Sequence, residues 1–469
     1  MTTPNPYAHR TAKHFDGIRY DEALIQKYNR QGPRYTSYPT ALEFAPIESG
    51  VEASILAKRD PSVPLSLYIH IPFCHHLCYY CGCNKIITKK NSDAGDYLTY
   101  LFAEIRHKKS LLRGQSVVKQ LHLGGGTPTF LSDDELSALW QFLQEEFIFA
   151  DDGDFSIEID PRELRPTTLK LLKDLGFNRL SFGVQDLDQK VQIAVNRVQP
   201  LELIQSVMQE ARALGFVSTN IDLIYGLPHQ TPKSMDLTIQ EIIKLSPDRL
   251  SVFNYAHLPD RFLAQKRIRE ADLPSPADKL AMFGNIITAL GQAGYQYIGI
   301  DHFAKPDDAM AVAQRQGELH RNFQGYAILG ECDLLGFGVS AISQIGEHIL
   351  QNPTALADYQ DAIKSGALPA VKHIQSDAKD ALRRHVIMNL LCHDYMSFQD
   401  LHQKFGIDPK EYFANEIMSL QDMAKDGLVQ IDDDGITILP KGRILGRSIA
   451  MVFDEYLGKK HANRFSKVI

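Results

Sequence analysis

Short runs rich in β-branched and aromatic residues alternate, over the first three quarters of the chain, with longer stretches whose apolar residues recur at helical spacing. The runs predict strands at 66–72, 119–123, 154–159, 179–184, 219–225, 249–254 and 295–300, and the stretches predict helices at 133–146, 200–214, 233–245 and 276–293. Strand and helix in alternation imply parallel strands joined by helical crossovers, hence an α/β fold: a partial or full barrel, or a doubly wound sheet. Polar and glycine residues gather at the C-terminal ends of the predicted strands: a cysteine-rich segment after Phe73, Gly124-Gly125-Gly126-Thr127, Glu158, Gln185, Asp222 and Ala256-His257. Ligands bind at that end in both architectures, and chemistry at every tip favours the barrel.

The flanks read differently. Residues 1–62 are polar, broken by proline and glycine, and contain the aromatic-rich stretch Arg34-Tyr-Thr-Ser-Tyr-Pro-Thr40; an extended N-terminal arm lying across the rest is expected. The catalytic α/β unit then spans 63–375, and a mainly helical C-terminal domain spans 376–469. In that last part helices are predicted at 378–392, 397–405 and 409–426 with no strands between them, followed by a hairpin, 428–431 and 436–438, around Asp432-Asp-Asp-Gly435. The pattern is winged-helix-like. An acidic turn would repel phosphates, so a structural or lid role fits better than a DNA reader.

Composition narrows the class. The 469 residues are 44% hydrophobic and 23% charged, ordinary for a soluble globular protein, and 50 basic against 57 acidic residues give a formal charge of −7. That balance weighs against a surface built for nucleic acid. The N-terminus carries no apolar signal region, and no apolar run approaches the roughly 20 residues that a membrane-spanning helix needs. A cytoplasmic monomer without a membrane or nucleic-acid partner is expected, and in that compartment clustered cysteines bind metal rather than form disulfides.

Four of the six cysteines, Cys74, Cys78, Cys81 and Cys83, fall within ten residues directly after the 66–72 strand; Cys332 and Cys392 are isolated in apolar surroundings and read as core. Two metal sites compete for the cluster. Zinc takes closed tetrahedral thiolate sets, usually from two separate short hairpins, whereas iron–sulfur clusters commonly draw their cysteines from one compact loop. The spacing C-x3-C-x2-C favours the second.

The run Tyr68-Ile-His-Ile-Pro-Phe-Cys74-His-His-Leu-Cys78-Tyr-Tyr-Cys81-Gly-Cys83-Asn-Lys resembles the radical S-adenosylmethionine (SAM) motif, and with its extra cysteine it resembles the oxygen-independent coproporphyrinogen III oxidase family. The resemblance runs on through Gly124-Gly-Gly-Thr-Pro-Thr, Glu158-Ile-Asp-Pro-Arg162, Gly183-Val-Gln-Asp186, Asn220-Ile-Asp-Leu-Ile-Tyr-Gly-Leu-Pro228, Phe253-Asn-Tyr-Ala-His-Leu-Pro259 and Asp301-His-Phe303. It continues in Leu319-His-Arg-Asn-Phe-Gln-Gly-Tyr326, Gly338-Val-Ser-Ala-Ile342 and Phe465-Ser-Lys-Val-Ile469.

The resemblance implies that Cys74, Cys78 and Cys81 hold three irons of a [4Fe–4S] cluster, with SAM chelating the fourth. It places two SAM molecules near Tyr68, Tyr80, Gly125, Gly126, Thr127, Glu158, Gln185, Arg197, Asp222, Ala256 and Ile342. Each of these, taken alone, also fits a strand end, a helix cap or core. Carboxylates suit the ammonium and ribose hydroxyls of SAM, and Arg197 suits its carboxylate; the glycines admit close backbone approach. Cys83 is implied as a further required cysteine at the active site, with Tyr68 beside it.

The implied reaction is the anaerobic oxidative decarboxylation of coproporphyrinogen III to protoporphyrinogen IX in haem synthesis, through a 5′-deoxyadenosyl radical made from SAM. It needs an electron donor for the cluster and a terminal acceptor. Arg34, His302, Lys305, His320 and Arg321 are candidate partners for the substrate carboxylates. The alternatives are a haem-trafficking relative, a tetrapyrrole-acting radical methyltransferase, or a winged-helix regulator with a metal sensor; Cys83 and the 34–40 stretch argue against the first.

Overall fold

A computed structural model describes residues 5–8 and 18–457; the Phe465–Ile469 match falls outside them. Its centre is a sheet built from β1 (Leu65–Ile71), β2 (Val117–Gly125), β3 (Ile148–Ile159), β4 (Arg179–Gln185), β5 (Ser218–Tyr225), β6 (Arg249–Asn254), β7 (Gln296–Gly299), β8 (His302–Ala304), β9 (Asp333–Phe337), β10 (Ile342–Ile345), β11 (His348–Gln351) and β12 (Lys372–Gln375). The spatial order is β12-β11-β10-β9-β1-β2-β3-β4-β5-β6-β8-β7, with Ala45–Pro46 paired outside β12. From β9 to β6 every neighbour is parallel.

Strands β1 to β6 lie side by side in chain order. With crossovers of one hand and no reversal, all the connecting helices fall on the same face, which excludes the doubly wound alternative. Among the described residues the two edges do not pair, so the sheet is a partial barrel and not a closed one. The longer of these helices are α1 (Ser92–Leu111), α2 (Asp133–Glu146), α3 (Leu201–Ala213), α4 (Pro232–Leu245) and α5 (Pro276–Gln292). Their starts are chemically marked: Ser132 and Glu135 form a capping box on α2, and Thr231 accepts from Ser234 N just before Pro232 on α4.

Period-two alternation divides each parallel strand. Phe155, Ile157, Ile159, Leu180, Phe182, Val184, Ile221, Leu223, Leu250 and Val252 are buried in the apolar core beneath the helices. The intervening residues, Ser156, Glu158, Ser181, Asn220, Asp222 and Ser251, line a polar interior instead. At the N-terminal end of the strands that interior is stitched by Arg179 to Asp154 (2.8 Å) and Arg249 to Asp308 (2.8 Å).

Four expectations need correction. The strand predicted at 295–300 is not one of the parallel set: β7 pairs antiparallel with β8 at the sheet's edge. Only Ile300 and Asp301 separate the two strands, too few residues for a crossover helix. The arm is not simply extended, since it forms helices at Glu22–Tyr28 and Val51–Lys58. In the C-terminal part a strand, Tyr395–Ser397, does interrupt the helices; it completes a three-stranded sheet with Val429–Ile431 and Gly435–Ile438. The predicted 409–426 helix is three short pieces, Pro409–Tyr412, Ala414–Ser419 and Gln421–Lys425.

The arm is sewn into the second apolar core. Tyr35 and Tyr38 are fully buried there with Ile387, Leu390, Phe413 and Phe453. Tyr35 Oη donates to Asp454 Oδ2 (2.8 Å), while Arg447 donates to the carbonyls of Pro33 (3.0 Å) and Gly32 (2.6 Å).

A buried polar network joins the parallel strands to the antiparallel edge. Glu104, on α1, has no solvent exposure and accepts from Gly338 N (2.7 Å), Tyr359 Oη (2.7 Å) and Asn352 Nδ2 (2.8 Å). Lys108 lies 2.8 Å from it and 3.3 Å from Glu52, and donates to Gly336 O (3.2 Å). Burial alone would lower the Lys108 ammonium, but the two carboxylates outweigh it and hold the pKa above its ordinary value. Removing one partner of a buried pair strands the other charge. Glu104→Gln is therefore expected to cost about 3–5 kcal/mol of stability, read as a fall in the urea unfolding midpoint.

Candidate active site

The cysteine loop leaves β1 and returns to it. Phe73–Cys74 pairs with Ile86–Ile87, and Ile86 N donates to Pro72 O (2.7 Å) and Thr88 N to Cys74 O (3.1 Å), so the loop is clamped at its neck. Its middle is held by Tyr79 N to Val195 O (3.0 Å), Asn196 Nδ2 to Leu77 O (2.9 Å) and Gln265 Nε2 to Tyr80 O (3.0 Å). Gly82 lies so close to Phe262 that a Cβ would sit 3.0 Å from the ring. His75 packs on Phe130 (4.4 Å), and His75 and His76 both approach Glu163 at 3.1 Å.

Protein donors reach two of the sulfurs. Thr127 Oγ1 donates to Cys74 Sγ (3.4 Å), and Arg197 Nη1 (3.5 Å) and Arg162 Nη2 (3.7 Å) donate to Cys78 Sγ. Both guanidiniums share Asp160 Oδ2, at 2.9 and 2.6 Å. Burial alone would raise the Asp160 carboxyl; the two arginines outweigh it and hold it low. Burial pushes the Cys74 thiol up to about 12, so as a thiolate it calls for a metal cation beside it. The Cys81 and Cys83 side chains meet, and their hydrogen bond draws Cys81 down to about 6 while raising Cys83.

Among the described residues no three His, Cys, Asp or Glu side chains converge closely enough to hold a single metal ion, as structural zinc would require. A cluster with a separate iron for each thiolate asks only for sulfurs spread around one loop, with N–H and O–H groups aimed at them. Cysteines on one clamped loop, with N–H and O–H groups aimed at two of the sulfurs, fit an iron–sulfur cluster.

Beside the loop, Tyr68 stacks on His122 (5.9 Å between centroids) and its hydroxyl meets His70 Nδ1 (3.0 Å). Glu158 accepts from Gly125 N (3.1 Å) and approaches His122 Nε2 (3.3 Å). Burial would raise the Glu158 carboxyl, but these partners outweigh it and hold it below its ordinary value. Burial raises the Tyr68 phenol, and the charges of Glu158 and Cys83 add to this. Gly125 has φ +114°, and a Cβ there would lie 2.6 Å from the His70 ring; one on Gly126 would lie 2.7 Å from Phe73 O. No side chain fits at either position.

Further round the rim, Gln185 has φ +71° and a buried Oε1 with no partner. Arg197 donates to Gly183 O while its buried Nε has none, and Tyr80 is close enough for its charge to act on that guanidinium. Asp222 accepts from Asn220 Nδ2 (2.8 Å) and Ser181 Oγ (3.4 Å); burial, then the charge of Glu158, pushes its carboxyl up to about 6. Glu158 and Asp222 border a cavity of about 210 Å³ shared with His122, Phe253, His302 and Tyr326. Ala256 lies just past β6 and Ile342 at the start of β10, and neither lines it.

Not every predicted cation is nearby. Arg34 binds Asp301 (2.5 Å), and His302 lines the cavity. Lys305 instead pairs with Asp248 (3.1 Å) at the N-terminal end of β6, because antiparallel β8 carries the chain to the far end of the sheet within three residues. His320 faces a different cavity, of about 560 Å³, with His385 and His393. Sequence reasoning missed His70, His122 and Asp160. The alternation in Leu121-His-Leu123 marks His122 as the polar face of its strand, and Asp160 stands inside a quoted motif.

The family model described as Radical SAM superfamily matches residues 68–242, and that of the HemN C-terminal domain matches residues 377–445. A relative from Salmonella typhimurium named oxygen-independent coproporphyrinogen III oxidase is 52% identical over 455 residues, covering 96% of this chain and 99% of its own length. One of the same name from Pseudomonas aeruginosa is 50% identical, covering 97% and 100%. The solved structure of coproporphyrinogen III oxidase (HemN) from Escherichia coli, described as a radical SAM enzyme, is similar with a TM-score of 0.90 at 49% identity, over 94% of this chain and 100% of that one.

Proposed function

This chain belongs to the oxygen-independent coproporphyrinogen III oxidase family, and we propose on that premise that it converts coproporphyrinogen III to protoporphyrinogen IX by oxidative decarboxylation of two propionates. The observation that carries the reading is the clamped loop that bears four cysteines, with Thr127, Arg162 and Arg197 donating to two of its sulfurs.

In this reading Cys74, Cys78 and Cys81 hold three irons of a [4Fe–4S] cluster, and the incomplete thiolate set leaves the fourth iron to an exogenous ligand. When bound, the cluster and SAM supply one-electron cleavage of a sulfonium C–S bond and with it a hydrogen-abstracting carbon radical. The chain's own residues position that chemistry. The unpartnered Nε of Arg197 suits the SAM carboxylate, and the unpartnered Oε1 of Gln185 its ammonium. Gly125, Gly126 and Thr127 offer backbone edge, Glu158 and Asp222 accept from hydroxyl or cationic groups, and Tyr68, Tyr80, Ala256 and Ile342 offer apolar contact. Two SAM molecules match two reacting propionates. Loss of a hydrogen atom β to a carboxylate, then of CO2, leaves a vinyl group and one electron for an acceptor.

The electron donor and acceptor are further partners, and the chain acts as a cytoplasmic monomer. No helix among the described residues is long and apolar enough to cross a membrane. Residues 63–375 form the catalytic unit, with 1–62 and 376–469 as an arm and a cap that keep water and oxygen from the site.

After anaerobic reconstitution with iron and sulfide, incubation with SAM, a reductant and coproporphyrinogen III is expected to yield 5′-deoxyadenosine and a divinyl product; the absence of both would overturn the reading. Cys83→Ser should keep the cluster's visible absorbance yet lower decarboxylation roughly 10- to 100-fold. Asp222 is ionised above about 6 and neutral below it, so calorimetric SAM affinity should fall as the pH drops through about 6. Asp222→Asn should bind more weakly and lose that dependence.

A further inference from the structure

Charge is unevenly placed around the outside of the cysteine loop. Residues 74–92 hold Lys85, Lys89 and Lys90 and no carboxylate; residues 261–269 hold Arg261, Lys266, Arg267 and Arg269, and again no carboxylate. The whole chain carries a formal charge of −7, so both stretches stand against its average.

The second stretch is fastened to the loop. Gln265 is buried and joins Leu258 N (2.6 Å) to Tyr80 O (3.0 Å), and Arg267 lies over the Tyr79 ring (5.2 Å). Ile268 is buried in a small apolar cluster with Val191 and Val195, against which Tyr79 and Tyr80 pack. With Gln265 and Ile268 turned inward, Arg261, Leu263, Lys266, Arg267 and Arg269 are left exposed. The acids beside them do not cancel the charge. Asp272 is taken up by Arg269 through two contacts of 2.7 Å, Asp188 accepts from Lys190 N (2.8 Å), and Asp260 and Glu270 stand at the two ends of the stretch. Arg261, Lys266, Arg267 and, from the loop itself, Lys85 keep this face net positive.

Apolar side chains are left in water here too. Leu263 is 74% exposed, Ile193 60% and Val198 50%, the last two on the segment whose Val195 O accepts from Tyr79 N. One exposed leucine is ordinary, but three such residues on the two segments that grip one loop mark a contact surface. The function proposed above draws its electrons from outside the chain. Redox partners meet through small, short-lived interfaces, under about 1,200 Å² in total, and complementary charge steers them together.

Resting on that reading, we propose that segments 189–198 and 261–269 dock a small acidic protein that delivers single electrons to the cysteine loop. Arg261, Lys266 and Arg267 steer the carrier and repel a basic one, while Leu263, Ile193 and Val198 exclude water from the contact. Each encounter passes one electron: the carrier is oxidised by it, the metal centre of the loop is reduced by it, and no bond is made or broken.

The test follows reduction of the reconstituted holoenzyme by fully reduced flavodoxin, an acidic one-electron carrier, as bleaching of the visible absorbance in anaerobic stopped flow. Reduced methyl viologen, a small cationic reductant that needs no docking face, is the control. The double variant Arg261→Glu/Lys266→Glu is expected to slow reduction by flavodoxin roughly 10- to 100-fold at low salt without slowing the viologen. Wild-type reduction by flavodoxin should fall as ionic strength rises, and the double variant should lose that dependence. Leu263→Ser should weaken flavodoxin binding, read by fluorescence anisotropy, by roughly 3- to 10-fold and keep the salt dependence. Flavodoxin rates unchanged in the double variant, or an equal slowing with viologen, would overturn the docking face. Both readouts run without substrate, so a wild-type enzyme that takes electrons from flavodoxin but forms no divinyl product would sink the proposed function and not this inference.

Discussion

Glu104 is the constraint on which the rest of the site's geometry depends. A carboxylate shut away from water must have its oxygens answered by protein donors, and here the donors come from the Gly338 turn, the Asn352 segment and Tyr359, with Lys108 balancing the charge. Two turns earlier on α1, the Tyr97 hydroxyl donates to His70 O (2.7 Å) and accepts from Val339 N (3.1 Å). Together they lock β9 and β1 side by side at the end where the cysteine loop begins. Gly338 belongs to the same joint, since a Cβ there would collide with the Tyr97 hydroxyl. The loop's position is therefore set by polar contacts in the core as much as by its own hydrogen bonds.

The interior of the partial barrel works by contrast between neighbouring acids. Glu158, answered by His122 and Gly125 N, stays ionised; Asp222, with only neutral donors and Glu158's charge nearby, sits near 6. A cationic ligand entering between them would relieve the second without disturbing the first.

Much of this was legible in the sequence, and the exceptions have physical reasons. Strand β6 and helix α2 stand where alternation and capping residues put them, and β1 to β5 differ from expectation only at their ends. The four cysteines announced the loop, because local spacing is what holds a compact metal site. Lys305 was misplaced because chain proximity to His302 says nothing about strand direction. Strands β9 to β12 and helix α1 left weak signals: Asp333-Leu-Leu-Gly-Phe337 is short and contains a glycine, and α1 buries Glu104 and Lys108 on the side that periodicity would assign to apolar residues. His122 and Asp160 gain their importance from partners on other strands, which no single stretch of sequence displays.

Arg34 owes its place to residues more than four hundred positions downstream: the carbonyls of Gly32 and Pro33 are held by Arg447, and Tyr35 is seated by Asp454. During synthesis those anchors leave the ribosome long after the arm and the central sheet. A nascent chain can thus fold its central sheet while this guanidinium stays unseated, and the arm settles only once residues 447–454 have emerged. A polypeptide ending before Arg447 would keep the cysteine loop yet leave the arm without its anchors.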